Sequence, residues 1–254
     1  MSEPLQTLDR KWRSTCRILL GKEVGGLEAF EGYLTKYVEP IFEKKSFISG
    51  KPTYVSLPNF CKGAAFISND EAGEYAKSLA SVKFTANDIK DIDSILEALG
   101  GHAAYSGNLI TGNSQFVEQS NSCVDSTFVF RSTDYYGASY IAYSSNGRFD
   151  ECVFGCNYTG ESKFIITSYD TYKLTRCFET LRTFTSADCY YTANLEDCSG
   201  CLFSFNQRSK RNLIGNLALP KDEYAGLKAK LVAEMAETLA RKKSLPSIIE
   251  LIRD

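Results

Sequence analysis

The stretch EDCSGCLFSFNQRSKRNLIGN, Glu196 to Asn216, holds Cys198-x-x-Cys201, the spacing of a metal or thiol-redox site, followed by a basic and aromatic run. With Cys177 and Cys189 upstream it offers four thiols, the number a tetrahedral zinc needs at about 2.3 Å from one point. Carboxylate catalysis needs two converging acids, and Asp150-Glu151, Glu161, Asp170 and Asp188 are the candidates. A single histidine, His102, leaves imidazole triads and most catalytic zinc centres without their usual group. Its place after Gly100-Gly101 reads as the end of a helix. Two clusters set cations beside aromatic rings: Arg10, Lys11, Arg13, Arg17 and Lys22 around Trp12, and Arg208, Lys210 and Arg211 near Phe203 and Phe205. Cations neutralise phosphates and rings stack on unpaired bases, so these are the candidate RNA- or partner-binding residues.

The chain has 254 residues, 43% hydrophobic and 24% charged, which suits a folded core rather than disorder. A formal charge of -2 gives no general affinity for nucleic acid or anionic lipid, so such binding must come from a local patch. No apolar run reaches the roughly 18 to 20 residues of a membrane span, and MSEPLQTLDRKWR lacks a signal-peptide core. The expected location is the cytoplasm. Nine cysteines, an odd number, fit reduced thiols there better than a disulfide framework.

Leu5, Leu8, Trp12, Cys16 and Leu19 recur at three- and four-residue steps and predict a first amphipathic helix. Leu27, Phe30, Leu34, Tyr37 and Val38 predict a second, ended by Pro40. The stretch KPTYVSLPNFCKGAAFIS has the punctuation of short strands and turns. A third helix is capped by Thr85 or Asn87, lined by Ile89, Ile92, Leu96 and Leu99, and stopped at Gly100-Gly101. After Pro220, Tyr224, Leu227, Leu231, Met235 and Leu239 share one face of a last helix, which Pro246 breaks before the tail SIIELIRD.

Between them the sequence repeats. Apolar pairs and triplets begin at Phe116, Phe128, Tyr140, Cys152, Phe164, Cys177, Cys189, Cys201 and Leu213, with steps of 12 residues and one step of 13. Ser120, Ser132, Ser144, Cys156, Ser168, Leu181, Ala193 and Phe205 follow as an inward column of mostly small residues, and Asn or Thr supplies turns at Asn121, Thr133, Asn157, Asn194 and Asn206. This predicts a mainly β fold with α elements: a right-handed parallel β-solenoid flanked by N-terminal helices and a C-terminal helix. The expected divisions are 1–102, 103–216 and 217–254. If alternate residues face inward, the first member of each triplet lines the core. Aromatic residues there need two 12-residue repeats per coil, so that strands face each other across about 10 Å. The middle members, Val117, Val129, Ile141, Val153, Ile165, Phe178, Tyr190, Leu202 and Ile214, then point outward and require a cover, either the chain's own helices or a second copy. The repeat also places Cys177, Cys189 and Cys201 in a column otherwise held by Phe, Tyr or Leu, which reads as core thiols, with Cys198 on a turn. No metal and no cofactor is expected.

The run DCSGCLFSFNQRSKRNLIGNLALPKDEYAGLK, with KDIDSILEAL and the repeats, resembles a widespread archaeal family of uncharacterised Cys- and Tyr-rich β-solenoid proteins. The shared signature falls on Cys198, Cys201, Phe203, Ser204, Phe205, Asn206, Arg208, Gly215, Asn216, Leu219, Pro220, Lys221 and Tyr224. Where related sequences carry a tyrosine-cysteine pair, this chain has Asn212-Leu213. The resemblance extends to archaeal ribosome dimerisation factors. It implies a non-catalytic homodimer that joins small ribosomal subunits in hibernation, through ribosomal RNA or proteins, with no membrane partner and no small-molecule substrate. The rival readings are a solenoid enzyme acting on carbohydrate or through thiols or metal, and a structural subunit of a larger assembly.

Overall fold

A computed structural model describes residues 2–56, 61–171, 173 and 175–251. Leu57 to Phe60, within the stretch expected to form strands and turns, and the end of the tail, 252–254, lie outside the described residues. Helix α1 (Glu3–Leu20) starts at Ser2, whose side chain accepts the Leu5 N–H, and stops at Gly21, which takes the left-handed conformation at φ 74°. A 3-10 turn (Leu27–Phe30) leads into the short α2 (Glu31–Leu34), so Tyr37 and Val38 fall beyond the helix expected to hold them. An antiparallel hairpin follows, β1 (Ile41–Lys45) with β2 (Pro52–Ser56). Strand β3 (Phe66–Ser68) leads through α3 (Asn69–Leu79) and α4 (Ile92–Gly100) back to β4 (Tyr105–Gly107), its parallel partner.

From residue 110 the chain winds into a parallel β-solenoid of about nine turns. From residue 115 to 214 the parallel strand partners are 12 residues apart, as in Val129 with Ile141, Ile141 with Val153, and Ile165 with Cys177, and the entering pair, Ile110 with Cys123, is offset by 13. One repeat therefore makes one coil, where two were expected. The backbone explains how so narrow a coil closes. Every third residue from Phe116 to Gly215 has a positive φ, so each 12-residue circuit contains four left-handed residues. Each resets the two-residue alternation of an extended strand, and the residue after it faces inward. Most of these positions are not glycine, at a conformational cost of roughly 1 to 2 kcal/mol each.

Inward positions consequently recur at three, in four columns. The first is Val129, Ile141, Val153, Ile165, Cys177, Cys189, Cys201 and Leu213, and the third includes Cys123, Tyr135, Thr159, Thr171, Thr183 and Leu195, all buried. Apart from Tyr135, which lies over Gly147, these are mid-sized side chains, and the bore is too slim for stacked aromatics. The residues read as outward at Val129, Ile141, Val153 and Ile165 are thus the interior, because period two was the wrong period. The single 13-residue step also disappears: the pairing stays at 12, and the apolar residue moves from the left-handed position of Phe164 to the inward position of Cys177. Phe128 and Cys177 do not share a row.

The second and fourth inward columns lie at the turns and carry small polar side chains that complete the backbone. Ser144 Oγ donates to the Ala142 carbonyl at 2.9 Å and accepts the Cys156 N–H of the next coil at 3.1 Å. Ser132 serves Ser144 in the same way, and Ser126 and Ser186 accept from Ala138 and Cys198 on the opposite turn, each at 3.1 Å. A buried N–H without such an acceptor costs about 1 to 3 kcal/mol. Cys198 belongs to this column, so although it stands at a turn it points into the bore and is buried.

Phe130, Ala142, Phe154, Ile166, Phe178, Tyr190 and Leu202 form a genuine outward apolar column, and the chain covers it itself. α1 lies across it with Leu5, Leu8, Trp12, Cys16 and Leu19 buried, beside Tyr224, Met235, Ala236 and Leu239 of α5 (Lys221–Lys242). Each such large side chain contributes roughly 1.5 to 3 kcal/mol on burial. Glu179, buried under these helices, accepts hydrogen bonds from Tyr33 Oη (2.9 Å), Thr167 Oγ1 (3.2 Å), Ser247 Oγ (2.6 Å) and the Ile248 N–H (2.9 Å). One carboxylate so joins the N-terminal segment, the solenoid and the start of α6 (Ile248–Leu251). The last coil is closed by residues 217–218 folding back antiparallel on 213–214, and the first by Asn108, whose Oδ1 accepts the Tyr54 N–H of β2 at 2.8 Å.

Ser144→Ala is expected to lower the unfolding free energy by about 1 to 3 kcal/mol, because it strands the Cys156 N–H in the bore. Ser139→Ala, on the outer surface, is expected to change it by less than about 0.5 kcal/mol. Urea unfolding followed by circular dichroism compares the two.

Candidate functional site

The amphipathic face of α1 turns its cations away from the solenoid, and they meet partners of their own. Arg13 pairs with Asp9 at 2.7 Å and Glu23 at 3.0 Å, and Arg17 also pairs with Glu23. Lys22 reaches Glu237 of α5 at 3.5 Å, Lys11 Nζ sits 4.1 Å over the Tyr140 ring, and Arg10 donates to Thr7 Oγ1 at 2.9 Å. Trp12, expected as a stacking platform, has no exposed surface at all. Its Nε1–H donates to the Gly25 carbonyl at 3.0 Å and its ring meets Phe30 and Phe154 at 5.0 and 5.4 Å, so it anchors the helix and is closed to any base. The same three- and four-residue spacing that made a helix legible also assigned Trp12 to the buried stripe.

The second cluster is carried by the last coils. Arg208 pairs with Glu196 of the preceding coil at 2.8 Å, while Lys210 and Arg211 are exposed and enter no ion pair among the described residues. The two clusters hang on different elements, and half of their cations, Arg13, Arg17, Lys22 and Arg208, are already in ion pairs. Exposed pairs of this kind contribute little, about 0 to 1 kcal/mol each.

Sequence reasoning missed a different surface. α3 and α4 stand as an arm with no buried residue in either helix. α4 is well made: Asp91 Oδ1 accepts the Ser94 N–H at 2.9 Å and Ser94 Oγ closes a reciprocal cap, while Thr85, expected as the cap, forms its own turn with Asp88. His102 N–H donates to the Leu99 carbonyl at 3.0 Å, as a helix end should. Yet the apolar stripe is open: Ile92 is 67% exposed, Leu96 57% and Leu99 53%, with Ile89 beside them at 55%. The arm is nonetheless tied down, by Tyr75 Oη on the His102 carbonyl at 3.1 Å and by Phe47 against Tyr75 at 5.4 Å. Periodicity revealed the stripe and not whether anything covers it.

The thiols Cys177, Cys189, Cys198 and Cys201 share one buried cluster in the bore, apart from the surface acids Glu151 and Asp170. All nine cysteines are free and buried. Burial pushes the Cys123 and Cys177 thiols up to about 12, so both stay neutral at physiological pH. Among the described residues no three His, Cys, Asp or Glu side chains converge as a metal site needs. Glu151 pairs with Lys163 at 2.8 Å and Asp170 with Arg182 at 3.3 Å on the surface. Asp150 instead points into the bore, where its Oδ1 accepts the Ser162 N–H at 3.0 Å and stands in for the serine of that column. Burial outweighs this bond and raises its pKa to about 7.

No helix among the described residues is long and apolar enough to cross a membrane. Comparison with protein-family models and with curated proteins finds no match to this chain.

Because the folded pKa of Asp150 lies above the unfolded value, its contribution is most favourable below about pH 4 and is lost as pH rises toward 7. The roughly three-unit gap corresponds to about 4 kcal/mol at 1.36 kcal/mol per unit. Asp150→Asn is therefore expected to match the native protein near pH 4 and to exceed its stability by a few kcal/mol at pH 8. Thermal melts of both proteins across this range supply the difference curve.

Proposed function

We propose that the protein is a non-catalytic interaction scaffold that pairs with a second copy through the α4 stripe and docks, as a homodimer, on the small ribosomal subunit. The observation that carries the self-association is the capped helix held out from the core with Ile92, Leu96 and Leu99 open to solvent. The outward column of the solenoid, for which a second copy was one expected cover, and the inner face of α5 are spent within the chain. An antiparallel, isologous pairing of two α4 helices buries the stripe symmetrically. The unmatched cations Lys210 and Arg211 offer phosphate contacts. The ribosomal partner comes from the family resemblance in the last coil and helix.

Mass photometry and sedimentation velocity at micromolar concentration are expected to give a dimer of the 28.3 kDa chain, and Leu96→Glu a folded monomer. A native monomer, or a dimer indifferent to Leu96→Glu, removes the pairing. In gradients of native lysate the protein is expected to travel with small subunits in resting cells. If it stays at the top in every growth phase, the ribosomal part fails while the pairing stands.

A further inference from the structure

The geometry points to an oligosaccharide-binding groove on the solenoid wall that carries strands 133–136 and 145–148, away from the wall that α1 covers. The groove encloses about 770 Å³ and runs across successive coils. Gly160 lowers its floor, and Gly147 lines it while leaving room in the bore for the Tyr135 ring. Its rim is aromatic: Tyr136, Phe149 and Tyr158 are 47%, 55% and 51% exposed. Phe149 meets Tyr136 edge-on at 5.3 Å and lies against Gly137, where a Cβ would approach its ring to 2.9 Å. That packing props an open ring face toward solvent.

Polar groups of both signs complete the rim. Asp134 and Arg148 are exposed and enter no ion pair among the described residues, while Asp170 pairs with Arg182 at 3.3 Å. Asp134 and Asp170 occupy the same coil position three coils apart, a separation of about 14 Å at roughly 4.8 Å per coil. Pyranose rings present C–H faces that pack on aromatic rings and hydroxyl edges that bond carboxylate and guanidinium. A carbohydrate chain lying along the coils meets an aromatic ring on successive coils, with acids near both ends. A free metabolite has no enclosed pocket here, and a nucleic acid would meet carboxylates where it needs cations. The inference is independent of the α4 pairing, since the groove and the arm are separate surfaces.

The full-length protein is to be applied to an array of neutral and amino-sugar oligosaccharides, and its best-bound glycan titrated by calorimetry. Tyr136→Ala and Tyr158→Ala are each expected to weaken that affinity about tenfold or more, and Asp134→Asn several-fold. Phe205→Ala, an exposed ring on the same wall outside the groove, is expected to leave it unchanged. Binding retained by the Tyr136→Ala/Tyr158→Ala double variant, with its melting midpoint unchanged, overturns the assignment. So does an array without a glycan above background, or one on which only sulfated or phosphorylated controls bind.

Discussion

A left-handed residue at every third position is the constraint on which the rest of this molecule depends. An ordinary strand alternates inward and outward and cannot close a circuit in 12 residues around side chains. Four left-handed residues per coil bend the chain often enough to close it, and they set how wide the bore can be. That width selects chiefly Val, Ile, Cys, Ser and Thr for the interior, admits Tyr135 only where Gly147 of the next coil makes room, and expels Phe and most Tyr to the outside. The hydroxyl columns follow from the same geometry, because tight turns aim backbone N–H groups into a bore packed with side chains, where each needs an acceptor. Ser144, Ser132 and Ser126 are acceptors in a ladder that runs coil to coil alongside the strand pairing.

Expelled aromatics need a cover, and this accounts for the helices. Trp12, Leu8 and Leu19 of α1 and Met235 and Leu239 of α5 bury the outward column that the slim bore cannot hold. The cover is latched by Glu179, a carboxylate raised by burial yet met by four donors from three parts of the chain. N-terminal helices, solenoid and C-terminal helix therefore share one cluster of buried side chains. The surfaces this packing does not consume are the α4 stripe, the cations at the last coil, and the groove floored by Gly160.

Much of the fold was legible. The stripe Leu5, Leu8, Trp12, Cys16 and Leu19 identified a helix and its buried face, since helical spacing depends only on neighbours along the chain. The 12-residue period identified a solenoid, and Ser120 to Ser168 identified an inward small column. The phase was lost for a local reason. Val153 was read as outward from the alternation that β-structure normally obeys, and no residue type marks the left-handed positions when Phe, Thr, Arg and Glu occupy them as readily as Gly or Asn. The coil count went with it, because aromatics placed inside demanded a wider core. Of the expected site, Trp12 proved structural, and most cations of its cluster proved matched by Asp9, Glu23 and Glu237.

The sequence by itself determined the periods: the helical stripes of α1, α4 and α5 and the 12-residue unit that repeats, while α3 went unseen. Periods are properties of neighbours in the chain, and neighbours are what a sequence states. Only the tertiary structure decided which apolar faces are covered. α1 and α4 carry the same kind of stripe, yet one is buried against the solenoid and the other stands open. It likewise turned Asp150 into the bore and left Asp134 on a rim, although both are aspartates in the same repeat. Burial depends on what the rest of the chain brings alongside, over separations such as the 171 residues between Leu19 and Tyr190, and no local pattern encodes that meeting.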